Sequence, residues 1–534
     1  MKATNTVLTR LARLVRKDLA SGRQSENSQQ AVEALAGYEN AALGLLDLAL
    51  KEDAKDKSDG SMVQAYGFLF SQALENLRYD SEAGYRSASE RVESVRKRLV
   101  SARASAAADP ATLLFLVQCF GAAKLDLGGE LAGVVAALSE EVAKAGSAEL
   151  SGANAEDLLG FLAEALEQAD KDPFELFSFM AENASGVPEE HRSVMATAFL
   201  LSGQETAVEA SIGWLLDSAR EVRRSIANAL EDAGRKGGVT PVMLRRMIAM
   251  RNWLPVDSRA ALDAAIVAAR QKGISPAQWP DVEVRRLLIP GVDGSGAIGV
   301  LAHCRDRRQN VLGSLLLKHG FGVRDAWAQS KVKQKEIDRA FAEMAHMDLF
   351  AASADWIRMA VGHFLALGHQ TGLMPPFGLL RFLEAVGISS VQPGFLSASS
   401  LLDMLENGRA IGAEELVNLL ERGSDLVDDY VFLDSWFEAG DEVEMLIAAA
   451  ASEKEDALVR RVMEKVLEPR RDWWAQSVAW AASILYQAGE DERWREFYAA
   501  ASALVHGRPI HEIALMKTVA TQTVLTGKLR RVAV

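Results

Sequence analysis

Two cysteines in 534 residues, Cys119 and Cys304, far apart in the chain, exclude a disulfide framework. Free buried thiols in a reducing compartment are the expectation, which places the protein in the cytoplasm. Long apolar runs are equally scarce. Stretches such as 446–451 are far too short for a membrane span. At the N-terminus, Arg10, Arg13 and Arg16 interrupt any apolar core, so a secretory signal is excluded. This basic amphipathic stretch reads as a first solvated helix, with a membrane surface or transit peptide as the other reading. No H-E-x-x-H, C-x-x-C or Asp-rich loop offers zinc or calcium spacing, and no G-x-S-x-G announces a hydrolase elbow. The sequence therefore implies no catalytic residues, no metal and no cofactor. A net charge of −14 argues against general affinity for nucleic acid or anionic membrane.

What is present is helical periodicity. Ala31, Leu35, Tyr38, Ala42, Leu45 and Ala49 recur at helical spacing, as do Met62, Tyr66, Phe70 and Leu74. Between residues 82 and 103, Val92, Val95 and Leu99 form a thin apolar stripe, predicting a helix packed on one side only or paired in a short coiled coil. Asp109-Pro110 closes this block. From 110 to 273 the pattern becomes helix pairs: 110–122, 128–146, 154–168, 173–184, 188–202, 205–217, 219–233, 241–252 and 258–272. Ser218 and Glu221 have capping-box spacing, Gly234 and Gly273 suit C-terminal caps, and Thr240-Pro241 suits a helix start.

Residues 282–330 differ. β-like runs at 284–290 and 298–303 flank the turn cluster 291–296, and Val311 to Val323 reads as a third strand. A small antiparallel meander is the prediction, with two short buried helices as the alternative. Gly294-Ser295-Gly296-Ala297-Ile298-Gly299 spells G-x-G-x-x-G, but no helix or acid-ending parallel strand follows, so a hairpin turn is the better reading. Helices then resume at 333–347, 353–368, 376–386, 398–407, 412–422, 428–439, 441–452, 455–468, 472–488, 490–506 and 509–526. Trp473, Trp474, Trp480, Trp494, Phe497 and Tyr498 read as core. The domains expected are a long-helix segment (1–109), helix-pair repeats (110–280), a β insert (281–330) and a C-terminal helical domain (331–534). The fold class is mainly α, an irregular α-solenoid of stacked helix pairs with a small antiparallel β insert.

Leu215, Leu216, Asp217, Val222, Arg223, Ile226 and Leu230 end one helix, turn a two-residue corner and open the next with Val-Arg. This corner resembles HEAT repeats, clearly over 205–233 and more loosely from 154 to 272. The resemblance implies a non-enzymatic scaffold or adaptor that binds a protein partner. Arg220, Arg223, Arg224, Arg245 and Arg246, on neighbouring helices, are the candidate partner surface. A second reading is an enzyme with a pocket between the β insert and the 353–386 helices, near Asp355, His363 and His369. A third is a nucleic-acid-associated repeat protein, resting on those arginines or on Arg305, Arg307, Arg308, Lys331, Lys333 and Lys335 around the meander. Cys304 beside His303 is not a dyad, because adjacent strand residues face opposite sides.

Overall fold

The computed structural model describes residues 2–21, 26–35, 37–55, 60–105, 109–150, 166–167, 169–184, 187–406, 411–450, 453–489 and 493–533. Most of the helix expected over 154–168 lies outside them. The chain divides into two compact units, Met1–Met195 and Ala196–Val534.

The first unit is helical throughout its described residues. Its central helix, Gly60–Glu82, packs against Lys2–Ser21, Ala41–Asp53, Arg86–Ala104 and Pro110–Ala122. The periodic residues Met62, Tyr66, Phe70 and Leu74 are buried, as the apolar spacing predicts. The narrow stripe Val92, Val95 and Leu99 is also buried, on a helix whose other faces are charged. The run from Ala31 to Ala49 is two helices, Glu26–Leu35 and Ala41–Asp53, and Tyr38 lies in the turn between them. Asp109 caps the next helix by accepting from the Ala111 N–H at 2.9 Å, ahead of Pro110.

In the second unit Glu205–Ala210 tightens into a 3₁₀ turn at Ser211–Leu216 before the corner. Arg220–Lys236 and Val256–Gln271 then pack side by side. Gly234 sits inside the first of these, where an added Cβ would lie 3.0 Å from Ala269 N, so the glycine permits close backbone approach. Left-handed Gly237 takes the capping role expected of Gly234, and Gly273 is left-handed as expected. The Thr240 hydroxyl caps Pro241–Met250 by accepting from Met243 N–H at 3.1 Å. No capping box forms at Ser218. Helix geometry begins one residue late for it, with Ala219 at the N-cap, and Glu221 pairs with Arg224 instead.

Five antiparallel strands form a sheet in the order β4-β3-β2-β1-β5: Val282–Ile289, Ala297–Asp306, Gln309–Lys318, Gly322–Ser330 and Phe350–Ala351 for β1 to β5. The expected meander is present, but 311–323 is two strands. His319 to Phe321 form the turn between them, with Gly320 and Gly322 left-handed. Period-two alternation sets the faces. Ile298, Val300, Ala302, Cys304, Leu315 and Leu317 are buried on the side covered by Ala354–Thr371 and Gly378–Ala385. On the other side Leu301 and Leu312 pack with Ile337 and Phe341 of Gln334–Glu343. His303 and Cys304 therefore point to opposite faces, and both cysteines are free and buried. Burial raises the Cys119 thiol to about 11 and the Cys304 thiol to about 12.

The remaining chain returns to helices. Trp474, Trp480, Phe497 and Tyr498 are buried core, as expected, whereas Trp473 and Trp494 are half-buried. Residues 428–439 are not one helix. Leu426–Asp429 and the 3₁₀ turn Val431–Ser435 replace it, because this segment is fastened to the β1–β2 turn. The Trp436 indole donates to Val292 O at 2.8 Å, and Gly294 N–H donates to Ser435 Oγ at 2.8 Å. That hairpin turn is organised by Asp293, whose Oδ1 accepts from the N–H groups of Ser295 and Ala297, each at 2.8 Å.

Candidate functional site

Of the five arginines proposed as a partner surface, three turn inward. Arg223 is buried and fastens the corner: its Nη1 donates to Asp217 O and Ser218 O, each at 2.7 Å, and its Nε to Ser258 Oγ at 3.1 Å. Arg245 and Arg246 converge on buried Glu384 of the 378–385 helix. Arg245 Nη2 reaches Glu384 Oε1 at 2.6 Å, while Arg246 reaches Oε1 and Oε2 at 2.9 and 3.1 Å. Arg246 also donates to Glu209 Oε2 at 3.0 Å. Burial alone would raise the Glu384 carboxyl, but the two guanidiniums outweigh it and hold the group below its ordinary range. Glu209 goes the other way: burial raises it and Arg246 only partly opposes. Arg220 and Arg224 alone of the five reach the surface, where Arg220 pairs with Asp257 at 3.1 Å and Arg224 with Glu221.

The helix Ala354–Thr371 carries Asp355, His363 and His369, which engage separate partners. Asp355 is exposed and pairs with Arg358. His369 Nε2 lies 2.7 Å from Trp253 O. His363 is fully buried among Phe364, Phe395 and Trp480, with ring centroids 5.0, 5.1 and 5.2 Å away. Its Nδ1 accepts from Leu396 N–H at 3.0 Å, which puts the ring proton on Nε2. Burial, then the charge of His319, lowers its pKa to about 3. A neutral imidazole with its basic nitrogen occupied is unsuited to act as a general base near pH 7. Among the described residues no group of three His, Cys, Asp or Glu is placed to hold a metal ion.

The third basic set is gathered at one end of the sheet. Arg305, Arg307 and Arg308 flank the β2–β3 turn, and Val332 N–H donates to Asn310 O at 3.2 Å, bringing Lys331, Lys333 and Lys335 alongside. All six are exposed, interleaved with exposed Asp306, Glu336 and Asp338.

The second unit carries a groove of about 900 Å³ between Asp441–Ala449 and the following Glu455–Val462 with its π turn, Met463–Leu467. Val443 and Ile447 face the core from the first helix, and Leu458, Val459 and Val462 from the second. Both helices pack on Ala514–Ala533, where an added Cβ at Gly527 would lie 2.4 Å from Ile447 Cδ1. With those faces committed, Met445, Leu446, Ala449 and Ala457 are left as the groove's apolar lining. Met445 is 61% exposed. Lys454, Arg460, Arg461 and Lys465 lie around it with Glu453, Asp456 and Glu464, and Arg461 pairs with Glu453. A π turn within a helix is rare and frequently accompanies function.

The groove falls within a region shared with another protein family. Residues 399–527 match the Y4lR C-terminal helical domain, and residues 188–273 match the Y4lR second domain. Similarity extends to the uncharacterized protein y4lR of Sinorhizobium fredii (strain NBRC 101917 / NGR234), 27% identical over 396 residues, covering 69% of this chain and 72% of that one. No solved structure matches the chain. The second-domain match encloses the helix pairs around Arg223 and Arg245–Arg246.

Sequence alone marks neither Glu384 nor the groove. Glu384 lies 138 residues from Arg246, so their pairing has no local signature. The groove does leave a trace. Val443, Met445, Leu446 and Ile447 spread apolar side chains wider than one buried face requires, and such surplus marks a second contact face.

Proposed function

We propose that this protein is a non-enzymatic helical scaffold that holds a protein partner, and that the 441–465 groove seats an amphipathic helix of that partner. The observation that carries this reading is the groove itself, lined by apolar Met445, Leu446, Ala449 and Ala457 together with charges of both signs. Helix-in-groove recognition needs this arrangement, with apolar anchors below and charged flanks that set orientation. Exposed Met445 suits it, because methionine is flexible and polarizable and adapts to a docked surface. Four cations against three carboxylates around the groove, within a chain of net charge −14, favour a helix with an acidic flank. The HEAT-like corner at 215–223, locked by Arg223, suits the frame of such a scaffold.

Replacing Leu446 by Asp puts an unpaired charge on the floor while leaving Val443 and Ile447 in the core. Partner retention from the native host should fall about tenfold or more, the effect of losing one buried anchor, with the thermal midpoint little changed. Quantitative pull-down with wild type and L446D, followed by binding measurement on the identified partner, checks this. Equal retention of the same partner by both proteins would remove the groove from the account.

A further inference from the structure

The first unit contains a second, chemically different cleft. It has a volume of about 410 Å³ and lies where Lys2–Ser21, Ala41–Asp53 and Gly60–Glu82 meet. Arg13 and Arg16, three apart on the first helix, share a face. Lys51 lies in the last turn of Ala41–Asp53 and Lys55 follows that helix. All four line the cleft, and its acidic counterweight is Glu52, which bonds Lys55 at 2.6 Å. Among the described residues lining the cleft, four cations stand beside one carboxylate, in contrast with the acidic balance of the chain. Tyr66 reaches the cleft from the central helix. It is buried, and its hydroxyl lies 3.4 Å from Thr9 Oγ1, so a buried polar group adjoins the cationic ring.

Guanidinium groups offer planar forks matched to phosphate oxygens, and lysine ammonium groups add point charge. The volume lies within the range of small-molecule sites and is too small for a protein surface. From this geometry we infer that the cleft binds a phosphate-bearing small molecule, with Arg13 and Arg16 gripping the phosphate, Lys51 and Lys55 neutralising it, and Tyr66 hydrogen-bonding to it. The site is independent of the 441–465 groove and shares no residue with it.

Inorganic pyrophosphate is the probe, titrated calorimetrically into the full-length protein at low salt, with anionic phospholipid vesicles in a parallel arm. Saturable binding of pyrophosphate is expected, weakening as salt screens the charges. The double substitution R13A/K51A should weaken it by about tenfold or more, and R13K by less, because the fork is lost but the charge is kept. R224A, at an exposed position in the other unit, should leave it unchanged, and circular dichroism establishes that each variant folds. Vesicle binding that depends on Arg13 and Lys51, with free pyrophosphate inert, would overturn the small-molecule assignment and make the phosphate a lipid headgroup's. Absence of saturable binding, or binding indifferent to R13A/K51A, would overturn the site itself.

Discussion

Replacing Glu384 by Gln should destabilise the protein by about 3–5 kcal/mol, the cost of breaking a buried ion pair by removing one partner. The carboxylate is the meeting point of Arg245 and Arg246, all three side chains being less than a tenth exposed. An amide offers one acceptor oxygen and no charge, so two neighbouring buried guanidiniums would lose the carboxylate they share. Because Glu384 is held below its ordinary value of 4.5, its contribution is whole above that pH. It is lost as pH falls through the depressed folded value, so the gap between wild type and E384Q should narrow below about pH 4.5. Glu209 is raised, so protonating it favours the folded state and opposes that loss over neighbouring pH values. Urea unfolding of both proteins at pH 7 and pH 4 measures the difference. A deficit under about 1 kcal/mol at pH 7, the scale of a solvent-exposed ion pair, would contradict the buried-cluster account.

Gly294→Ala should cost about 3 kcal/mol, the upper end of overpacking penalties. An added Cβ would lie 1.7 Å from the backbone oxygen of Ser435, and no side-chain rotation relieves a clash with backbone. Either the β1–β2 turn or the 431–436 segment has to move, and with it the bonds from Gly294 to Ser435 and from Trp436 to Val292. Ser295→Ala, one residue on, removes only an exposed hydroxyl bonded to Asp293 and should cost under about 1 kcal/mol. Chemical denaturation of the two variants checks the contrast. Equal stability would mean that the turn does not dock as described.

Gly294 also shows how far the sequence could be read. Its G-x-G-x-x-G spelling is rejected as a nucleotide motif because no helix follows, and the hairpin is correctly expected from Asp293 and the apolar flanks. The reason for the glycine, a backbone 141 residues away, has no local trace. The same divide runs through the arginines. Helix periodicity places Arg245 and Arg246 on a helix, yet whether they face solvent depends on Glu384 and Glu209, which arrive from distant elements. His363 lies on a helix as expected, while its burial is set by Phe395 and Trp480 from two other segments. The apolar run 311–323 reads as one strand because it crosses Gly320, where left-handed backbone turns the chain. Local periodicity therefore delivers elements, and long-range pairing decides which of their faces stay open.

The 441–465 groove is proposed as the face left open for a partner. Its most direct test places a photo-crosslinking amino acid at Met445 in the native host, with Val256, 78% exposed on another helix, as the control position. The account predicts one discrete crosslinked protein from position 445, absent from position 256 and lost when Leu446 is replaced by Asp. Crosslinks from 445 that match those from 256, or that persist unchanged in L446D, would contradict it.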